Sequence, residues 1–308
     1  MSLHDKRIVV TGGAGFIGTH LVDRLVADNE VLVVDDGSNG RREWVNDDAD
    51  FLGGDLTDEA VVTDAITPET DLVVHLAASK LVDTDTPRKQ FDDNSEITYN
   101  VLERMDAVGV EKLVFTSSST VYGEAPRPTP EDYAPLEPIS VYGATKLAEE
   151  SLVSTYAHSH DLQSWVFRFA NIVGPRLRGA VIPDFIEKLR DDPDSLTVLG
   201  DGRQEKSYMH VSECVDAMAY AVEHADGDHN VFNLGTRTTT SVDRIADIVA
   251  DEMGLDPSYE HTGGDRGWTG DVPRMRLSIE KLSGLGWQPA QSSDDAVRQS
   301  TRELLAEL

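Results

Sequence analysis

Residues 7–18 read RIVVTGGAGFIG, in which an apolar run leads into a glycine-rich turn and then into a helix-like segment. In such a turn Gly12 permits the tight bend, Gly15 lets the backbone approach a pyrophosphate, and Gly18 lets the helix pack on the strand. Backbone N–H groups at the helix start face the anion. Similar turns also arise for structural reasons alone, but a second apolar run ends at Asp35, about 20 residues on, where a ribose contact is required. We therefore predict a dinucleotide-binding unit.

The residues around Asp35 bear on which dinucleotide binds. A carboxylate at this position accepts hydrogen bonds from both ribose hydroxyls and repels a 2′-phosphate, which favours NAD over NADP. Arg41 and Arg42 lie close by and are the signal for NADP. We interpret them as two solvated loop arginines and expect NAD.

Short apolar runs alternate with longer amphipathic stretches, a pattern typical of a parallel sheet with crossover helices. Predicted strands cover 7–11, 31–35, 72–76, 112–117 and 164–169, and predicted helices cover 15–27 and 142–158. Beyond Asn171 the elements become shorter, with an extended segment at 203–211, helices at 212–223 and 242–253, and a strand at 231–234. We predict a Rossmann doubly wound parallel sheet for the NAD-binding domain (1–170). A smaller α/β substrate-binding domain (171–308) is expected to be partly interleaved with it.

The segment 142–146, YGATK, contains the main candidate for acid–base chemistry. Tyr142 and Lys146 are four residues apart and share one face of the predicted helix. The free tyrosine pKa of about 10 is too high for a base near neutrality. A nearby ammonium stabilises the phenolate and lowers that pKa, so that the tyrosine can take a proton from a substrate hydroxyl. A hydroxyl from the run Ser117–Thr120, at the end of a predicted strand, would orient the same oxygen.

The chain is strongly acidic, with 56 acidic and 27 basic residues and a formal net charge of −29. Such a surface repels nucleic-acid phosphates and anionic lipid, which argues against both as partners. It also repels itself unless salt screens it, so we expect a salt-adapted source, with an acidic mesophilic enzyme as the alternative. One cysteine, Cys214, allows no internal disulfide, and neither a signal-peptide pattern nor a membrane-length apolar run stands out. We expect a soluble, cytoplasmic protein.

Several other residue types suggest sites but have simpler interpretations. Histidine pairs near 158–160 and 224–229 lack a surrounding ligand cluster, so we predict no metal site. Cys214 is interpreted as a small core residue and His75 as a strand residue at the cofactor edge. Glu149 and Glu150, which follow Lys146 on the same helix, are interpreted as solvated charges.

Taken together, these motifs resemble the extended short-chain dehydrogenase/reductase family, and within it the UDP-glucose 4-epimerase-like enzymes that act on sugar nucleotides. The resemblance extends over nearly the whole chain. Its motifs are 11–18 (TGGAGFIG), 54–56 (GDL), 75–78 (HLAA), 117–123 (SSSTVYG), 142–146 (YGATK) and 168–171 (RFAN).

The resemblance implies roles for individual residues. Ser118 is the catalytic hydroxyl, Tyr142 the base, and Lys146 both a ligand of the nicotinamide ribose and a modulator of the tyrosine. Ser118, Ser119, Asn171, Lys206 and Arg266 are implied on the substrate side, the last three toward the diphosphate. Lys206 replaces the family's usual arginine and cannot grip phosphate bidentately, and Arg266 is shifted from the usual arginine position. The implied cofactor contacts are Gly12, Gly15, Phe16, Ile17, Gly18, Asp35, Asp36, Asn39, Asp55, Leu56, Leu76, Ala77, Ala78, Lys80, Asn94, Tyr142 and Lys146.

The residues after Ser118 indicate the reaction. Dehydratases that this chain resembles carry an Asp-Glu pair there, and related decarboxylases usually carry a glutamate, whereas this chain has Ser119 and Thr120. We therefore expect a 4-epimerase of the UDP-glucose/UDP-galactose type, in which a transient 4-keto sugar turns over and NAD is regenerated. The alternatives are a nucleotide-sugar dehydrogenase, reductase or dehydratase of the same fold, and a non-catalytic NAD-binding sensor. By the same resemblance we expect a homodimer that pairs through helices at 89–108 and 142–158.

Overall fold

The computed structural model describes residues 1–79, 86–267 and 270–308. Lys80, one of the implied cofactor ligands, lies outside the described residues. The elements, in chain order, are β1 (Arg7–Thr11), α1 (Phe16–Leu25), β2 (Glu30–Asp35), β3 (Asp50–Gly53), α2 (Glu59–Ala65), β4 (Leu72–His75), α3 (Pro87–Val108), β5 (Lys112–Ser118), α4 (Val141–Ser159), β6 (Gln163–Phe169), β7 (Asn171–Val173), α5 (Val181–Asp191), β8 (Ser195–Val198), β9 (Glu205–Lys206), β10 (Tyr208–His210), α6 (Val211–His224), β11 (His229–Leu234), β12 (Thr240–Ser241), α7 (Val242–Met253), β13 (Ser258–His261), β14 (Arg274–Met275), α8 (Glu280–Gly284) and α9 (Ser293–Glu307).

The main sheet has seven strands in the order β11-β6-β5-β4-β1-β2-β3. The pairs β1–β2, β1–β4, β2–β3 and β4–β5 are all parallel. From β1 the chain first builds outward through β2 and β3, then returns to the other side of β1 with β4. Ligands of doubly wound sheets bind at the carboxyl ends of the strands where the order reverses. The predicted Rossmann fold class is confirmed.

Two helices of this sheet pack together beside β5, and their packing positions the candidate catalytic residues. Helix α4 packs against α3 and against β5. Its buried face includes Lys146, Glu149, Glu150, Val153 and Ala157, at the three- and four-residue spacing of one broad helix side. Neighbouring apolar side chains such as Phe115, Val153 and Tyr156 belong to one core cluster. The polar residues at the start of α4 are therefore held by a packed helix and not by a loop.

The chain divides into two compact units, each built from three segments. The first unit comprises Met1–Val121, Val141–Arg168 and Val215–Phe232, and the second comprises Tyr122–Ser140, Phe169–Cys214 and Asn233–Leu308. The second unit contains short sheets of two and three strands. Its helices α5, α7 and α9 pack on one another. Side-chain caps from Ser241 and Ser292 start α7 and α9.

Most elements predicted from sequence are present, with shifted ends. Helix α7 has the predicted bounds, whereas the first helix covers Phe16–Leu25 and is shorter than the predicted 15–27. The predicted strand at 231–234 forms as β11 and joins the main sheet beside β6. Strand β3 and helices α2 and α5 were not predicted. Within the described residues, no helix combines the length and the apolar character that crossing a bilayer requires.

Candidate active site

The glycine turn after β1 comes very close to the segment after β4. Gly12 has a φ of +67°, and a Cβ placed there would lie 2.7 Å from the backbone nitrogen of Ala77. A Cβ on Gly18 would lie 2.3 Å from the carbonyl oxygen of Gly12, so helix and turn touch where only glycine fits. Helix α1 begins at Phe16, and its N-cap residue, Gly15, has no side chain to cap it, so the N–H groups of Phe16 and Ile17 can bind an anion. This geometry fits a pyrophosphate.

The acidic residue at the end of β2 is tied to the same turn. Asp35 is 8% exposed, and its oxygens accept hydrogen bonds from the backbone N–H groups of Ala14 at 3.0 Å and Gly37 at 2.9 Å. Burial raises the pKa of its carboxyl above the ordinary value, against the opposing effect of these two N–H groups. Two further candidate cofactor contacts, Asp36 and Asn39, are exposed in the segment that follows β2. The loop thus carries the polar groups expected around an adenosine ribose.

The two arginines of the NADP alternative pack on aromatic rings. The guanidinium of Arg41 lies 5.0 Å from the centre of the Trp44 ring. The guanidinium of Arg42 lies 4.7 Å from the centre of the Phe51 ring. Their side chains are exposed, which agrees with the interpretation as solvated loop residues.

Asn94 holds the backbone that leaves β4. Its side-chain oxygen accepts from the N–H of Ser79 at 2.7 Å, and its amide nitrogen donates to the Ser79 carbonyl at 2.9 Å. Just before Ser79, the chain passes through three partly buried residues: Leu76, Ala77 and Ala78. After β3, Asp55 is exposed and accepts from the N–H of Thr57, while Leu56 is buried. The candidate cofactor residues described for this edge therefore lie in segments that follow β1, β2, β3 and β4.

Ser118 is the last residue of β5, and Ser119 begins a short 3₁₀ turn. The Ser118 oxygen accepts two hydrogen bonds from Thr120, one from its backbone N–H at 3.2 Å and one from its hydroxyl at 3.0 Å. A serine oxygen has two acceptor sites and one hydrogen to donate. With both acceptor sites occupied, Ser118 is prepared to donate its hydrogen to a ligand oxygen.

Tyr142 and Lys146 occupy the first turns of α4. The Lys146 ammonium is buried and lies 4.9 Å from the centre of the Phe115 ring. Burial raises the pKa of Tyr142 above its usual value, Lys146 lowers it, and Glu149 raises it again. The effect of the lysine has the expected sign, but in the free protein the upward effects prevail.

The interpretation of Glu149 and Glu150 as solvated charges is wrong. Both are buried, and each faces a cation. Glu150 forms a short ion pair with Arg168, with Oε2 and Nη2 2.6 Å apart. Glu149 Oε2 lies 3.2 Å from the Lys146 ammonium nitrogen. The face of α4 that carries these acids packs inward, so their charges are compensated by partners instead of by water.

A row of hydrogen bonds runs from Glu149 back to the glycine turn. Thr98 donates to Glu149 Oε1 at 2.7 Å, His75 Nε2 lies 3.1 Å from the Thr98 hydroxyl, and His75 Nδ1 lies 2.6 Å from the Thr11 hydroxyl. The Thr11 oxygen also accepts from the N–H of Ala77 at 3.3 Å. Burial, with Lys146, lowers the pKa of His75 to about 3, so the ring is neutral. Sequence reasoning placed His75 correctly but missed Thr98 and Glu149.

In the second unit, the two candidate phosphate-binding residues, Lys206 and Arg266, both donate hydrogen bonds to Asp271. The buried Asp271 accepts a hydrogen bond from the Lys206 ammonium through Oδ1 and from the N–H of Gly267 through Oδ2. Arg266 donates to the Asp271 carbonyl and forms an ion pair with Glu124. Lys206 and Arg266 are 60 residues apart in sequence and are brought together by this acid.

Asn171, the third substrate-side candidate, belongs to the same unit. It is paired with Tyr208 in the register of β7 and β10. Burial raises the pKa of the Tyr208 phenol, while a hydrogen bond with Asn171 lowers it and the charge of Asp271 raises it. Tyr208 thus connects Asn171 to the surroundings of Asp271. Cys214 in the same unit is fully buried and uncharged, because burial raises the pKa of its thiol far above neutrality, in agreement with a core role.

Comparison with known proteins places this geometry in a family. The sequence model of the "NAD dependent epimerase/dehydratase family" matches residues 8–235. A putative UDP-glucose 4-epimerase of Methanocaldococcus jannaschii is 30% identical, with 92% of this chain and 93% of that protein aligned. A crystal structure of a UDP-galactose 4-epimerase is 44% identical, with a TM-score of 0.89 and coverage of 98% of this chain and 99% of that one.

The same fold also occurs with another reaction. The dTDP-glucose 4,6-dehydratase DesIV of Streptomyces venezuelae is 26% identical and matches with a TM-score of 0.86 over 96% of each chain. Similarity in overall fold therefore includes both epimerases and dehydratases. The expected cofactor, NAD, is the one that the matching family uses.

Proposed function

The chain belongs to the NAD-dependent epimerase/dehydratase family, and from that premise we propose that it is a nucleotide-sugar 4-epimerase of the UDP-glucose/UDP-galactose type. The observation that carries this proposal is the surroundings of Ser118. The residues that follow it contribute hydroxyl and N–H donors from Thr120, where the dehydratases it resembles have a carboxylic acid pair. Elimination of water needs an acid to protonate the leaving hydroxyl, and epimerisation does not.

In the proposed reaction, Tyr142 takes the proton from the C4 hydroxyl of the sugar and returns it at the end of the cycle. Ser118 donates its hydrogen to the same oxygen, for which its two occupied acceptor sites prepare it. The Lys146 ammonium lowers the pKa of Tyr142 and so favours the phenolate. When bound, NAD would accept the hydride from C4 and give it back to that carbon, and the glycine turn at Gly12–Gly18 and Asp35 would hold the cofactor. The 4-keto sugar then presents its other face, and no net oxidation results.

The second unit supports a substrate with a diphosphate. Lys206 and Arg266 together offer two cations, and Asn171 lies within the same group of residues. Glu124 and Asp271 neutralise these cations in the free protein. A diphosphate would replace Glu124 as the partner of Arg266, because guanidinium groups bind phosphate oxygens through two parallel N–H bonds.

The test is turnover of UDP-glucose and UDP-galactose in high salt, with product sugars separated and NADH followed by absorbance. We expect interconversion without net NADH, and a loss of about 10²–10⁴-fold in kcat for Tyr142→Phe. Tyr156→Phe is the matched control, because Tyr156 lies on the same helix and bonds to Glu103 instead. Stoichiometric NADH with an oxidised sugar would replace the proposal with a dehydrogenase, and a 4-keto-6-deoxy product would replace it with a dehydratase.

We also propose that the protein is a homodimer that pairs through α3 and α4. These helices pack side by side, and α3 exposes two large side chains, Phe91 at 37% and Tyr99 at 47%. Exposed aromatic residues on a helix pair are typical of an interface. Light scattering of the purified protein should give about twice the chain mass of 33.7 kDa, and Tyr99→Glu should give the monomer mass.

A further inference from the structure

Lys146 and Glu149 form a buried ion pair within α4. The two residues are 3% and 0% exposed, and 3.2 Å separates the ammonium nitrogen from Glu149 Oε2. Their spacing of three residues places them on the same side of the helix. Apart from this ammonium, Glu149 Oε2 has no hydrogen-bonding partner among the described residues. The Lys146 ammonium is therefore the one polar group that Oε2 contacts among the described residues.

The other carboxylate oxygen, Glu149 Oε1, is held by a row of hydrogen bonds that begins at the glycine turn. Thr98 donates to Glu149 Oε1, so its oxygen accepts from the Nε2–H of the neutral His75 ring. His75 Nδ1 is then an acceptor and takes the hydrogen of the Thr11 hydroxyl, whose oxygen also accepts from the N–H of Ala77. Each member donates in the same direction, so the row ends at an acceptor. That acceptor is Glu149 Oε1, which leaves Oε2 for the Lys146 ammonium.

The remaining surroundings of Lys146 do not supply a counter-charge. Phe115 from β5 offers a ring face, His75 from β4 is neutral, Thr98 from α3 has no charge, and Tyr142 on α4 is a phenol. Within the part of the chain that the structure describes, Glu149 is the one carboxylate at ion-pair distance from Lys146. A buried ammonium without a counter-ion readily loses its proton.

We infer that Glu149 is a positioning residue that keeps Lys146 charged and in place beside Tyr142. This inference rests on the proposed function only for the role of Lys146 in the reaction. The ion pair itself can be tested without measuring turnover. Burial raises the pKa of the Glu149 carboxyl, and the ammonium and the Thr98 hydroxyl oppose that rise. On balance burial prevails and the pKa of Glu149 lies above its usual value, so the inference rests on the 3.2 Å contact between the two buried groups. Removal of either partner exposes the other to the cost of burial.

Replacement of Glu149 by glutamine affects Tyr142 in two opposite ways. Direct loss of the negative charge favours the phenolate, because Glu149 raises the pKa of Tyr142. Loss of the counter-ion lowers the pKa of Lys146, and once the lysine is neutral the phenolate loses its support. Below the new lysine pKa the first effect prevails, and above it the second prevails. The variant should therefore stay active at lower pH and lose activity at higher pH.

The direct test measures the pKa of Lys146 by NMR of the lysine side-chain carbons in the purified NAD-bound protein. The chain has only eight lysines, and the Lys146 signal is assigned by its absence in Lys146→Met. In Glu149→Gln the measured pKa of Lys146 should be lower than in the wild type by about two units.

Glu150→Gln is the matched control. It removes the adjacent buried carboxylate of the same helix, but the partner there is Arg168, which does not lose its proton. Both substitutions break a buried ion pair, so both lower the melting temperature, but only Glu149→Gln should shift Lys146. The pH profile of turnover should gain a new loss of activity on its alkaline side in Glu149→Gln alone.

An unchanged Lys146 pKa in Glu149→Gln, or an equal shift in Glu150→Gln, would overturn the inference. If Glu149→Gln does not fold, the side-chain carboxyl carbon of Glu149 is titrated in the wild type. A protonated Glu149 at pH 7 would overturn the inference, and an ionised one would support it. Because these NMR signals are recorded without substrate, they test the ion pair even if the protein proves not to be an epimerase.

Discussion

The carboxylate of Asp35, at the end of β2, accepts a hydrogen bond from the backbone N–H of Ala14, 3.0 Å away in the turn that follows β1. Two neighbouring strands of the sheet are thereby joined at their carboxyl ends by one side chain. The contact fixes the acid relative to the glycines, so the groups expected to meet ribose and pyrophosphate are held as one rigid surface. Preorganisation of this kind lowers the entropic cost of binding.

Asp35→Asn should weaken NAD binding by about tenfold to a hundredfold, because a hydrogen bond to a charged group contributes roughly 1.5–3 kcal/mol. It should also narrow the preference for NAD over NADP, since the repulsion of a 2′-phosphate is lost. Calorimetric titration with both dinucleotides measures the two effects. Asp50→Asn, at the exposed start of β3, controls for the loss of one negative charge. Equal preference for NAD in Asp35→Asn and the wild type would contradict this role.

Ser118→Ala should lower kcat by about a hundredfold and leave KM nearly unchanged, because the hydroxyl acts on the oxygen at which charge develops. Ser117→Ala provides the comparison on the same strand. Ser117 is buried, and its hydroxyl has no partner among the residues that the structure describes, so its removal should leave kcat within about twofold. Steady-state turnover of both UDP-hexoses measures the difference. Similar kcat losses in the two variants would argue against a donor role for Ser118.

Arg266→Met should raise the Kd for UDP by about tenfold or more, since a charged, bidentate phosphate contact is removed. Arg237→Met is its counterpart, because Arg237 also belongs to the second unit and forms an exposed ion pair with Glu280. Titration with UDP, in the presence of saturating NAD, separates the two variants. If both bind UDP like the wild type, the diphosphate is bound elsewhere.

The net charge of −29 leads us to propose that the protein is adapted to salt. Raising NaCl from about 0.2 M to about 2 M shortens the Debye length to about 2 Å and screens the repulsion between carboxylates. The melting temperature should rise by about 5 °C or more. Sucrose, which stabilises proteins by exclusion without screening charge, serves as the comparison. A rise no larger than that with sucrose would favour an ordinary acidic enzyme.

The sequence allowed the sheet and its carboxyl edge to be predicted, because their signals are local. The spacing of glycines, an apolar run ending at Asp35, and a tyrosine four residues before a lysine all lie within short windows. The structure places the glycines in the turn after β1 and the first turn of α1, Asp35 at the end of β2, and Tyr142 and Lys146 on α4. NAD as the cofactor followed from the same local signals.

Features set by packing across long distances could not be predicted. Glu150 is buried because Arg168, 18 residues away on another element, faces it, and nothing in the sequence indicates that approach. Asp271 joins Lys206 and Arg266 through a similar distant contact. For Glu149 a signal did exist, since Lys146 is three residues earlier on the helix, but two adjacent acids are typical of a solvated helix face. Tertiary packing decided which face of α4 is inside.

The division of each unit into three chain segments has a consequence for synthesis. The first unit needs residues up to Phe232, and β11 pairs with β6 some 60 residues after β6 has left the ribosome. Until then the edge of β6 is an open row of N–H and C=O groups, available to strands of other nascent chains. We therefore expect that the first 170 residues do not fold independently and that a polypeptide interrupted there is prone to aggregate.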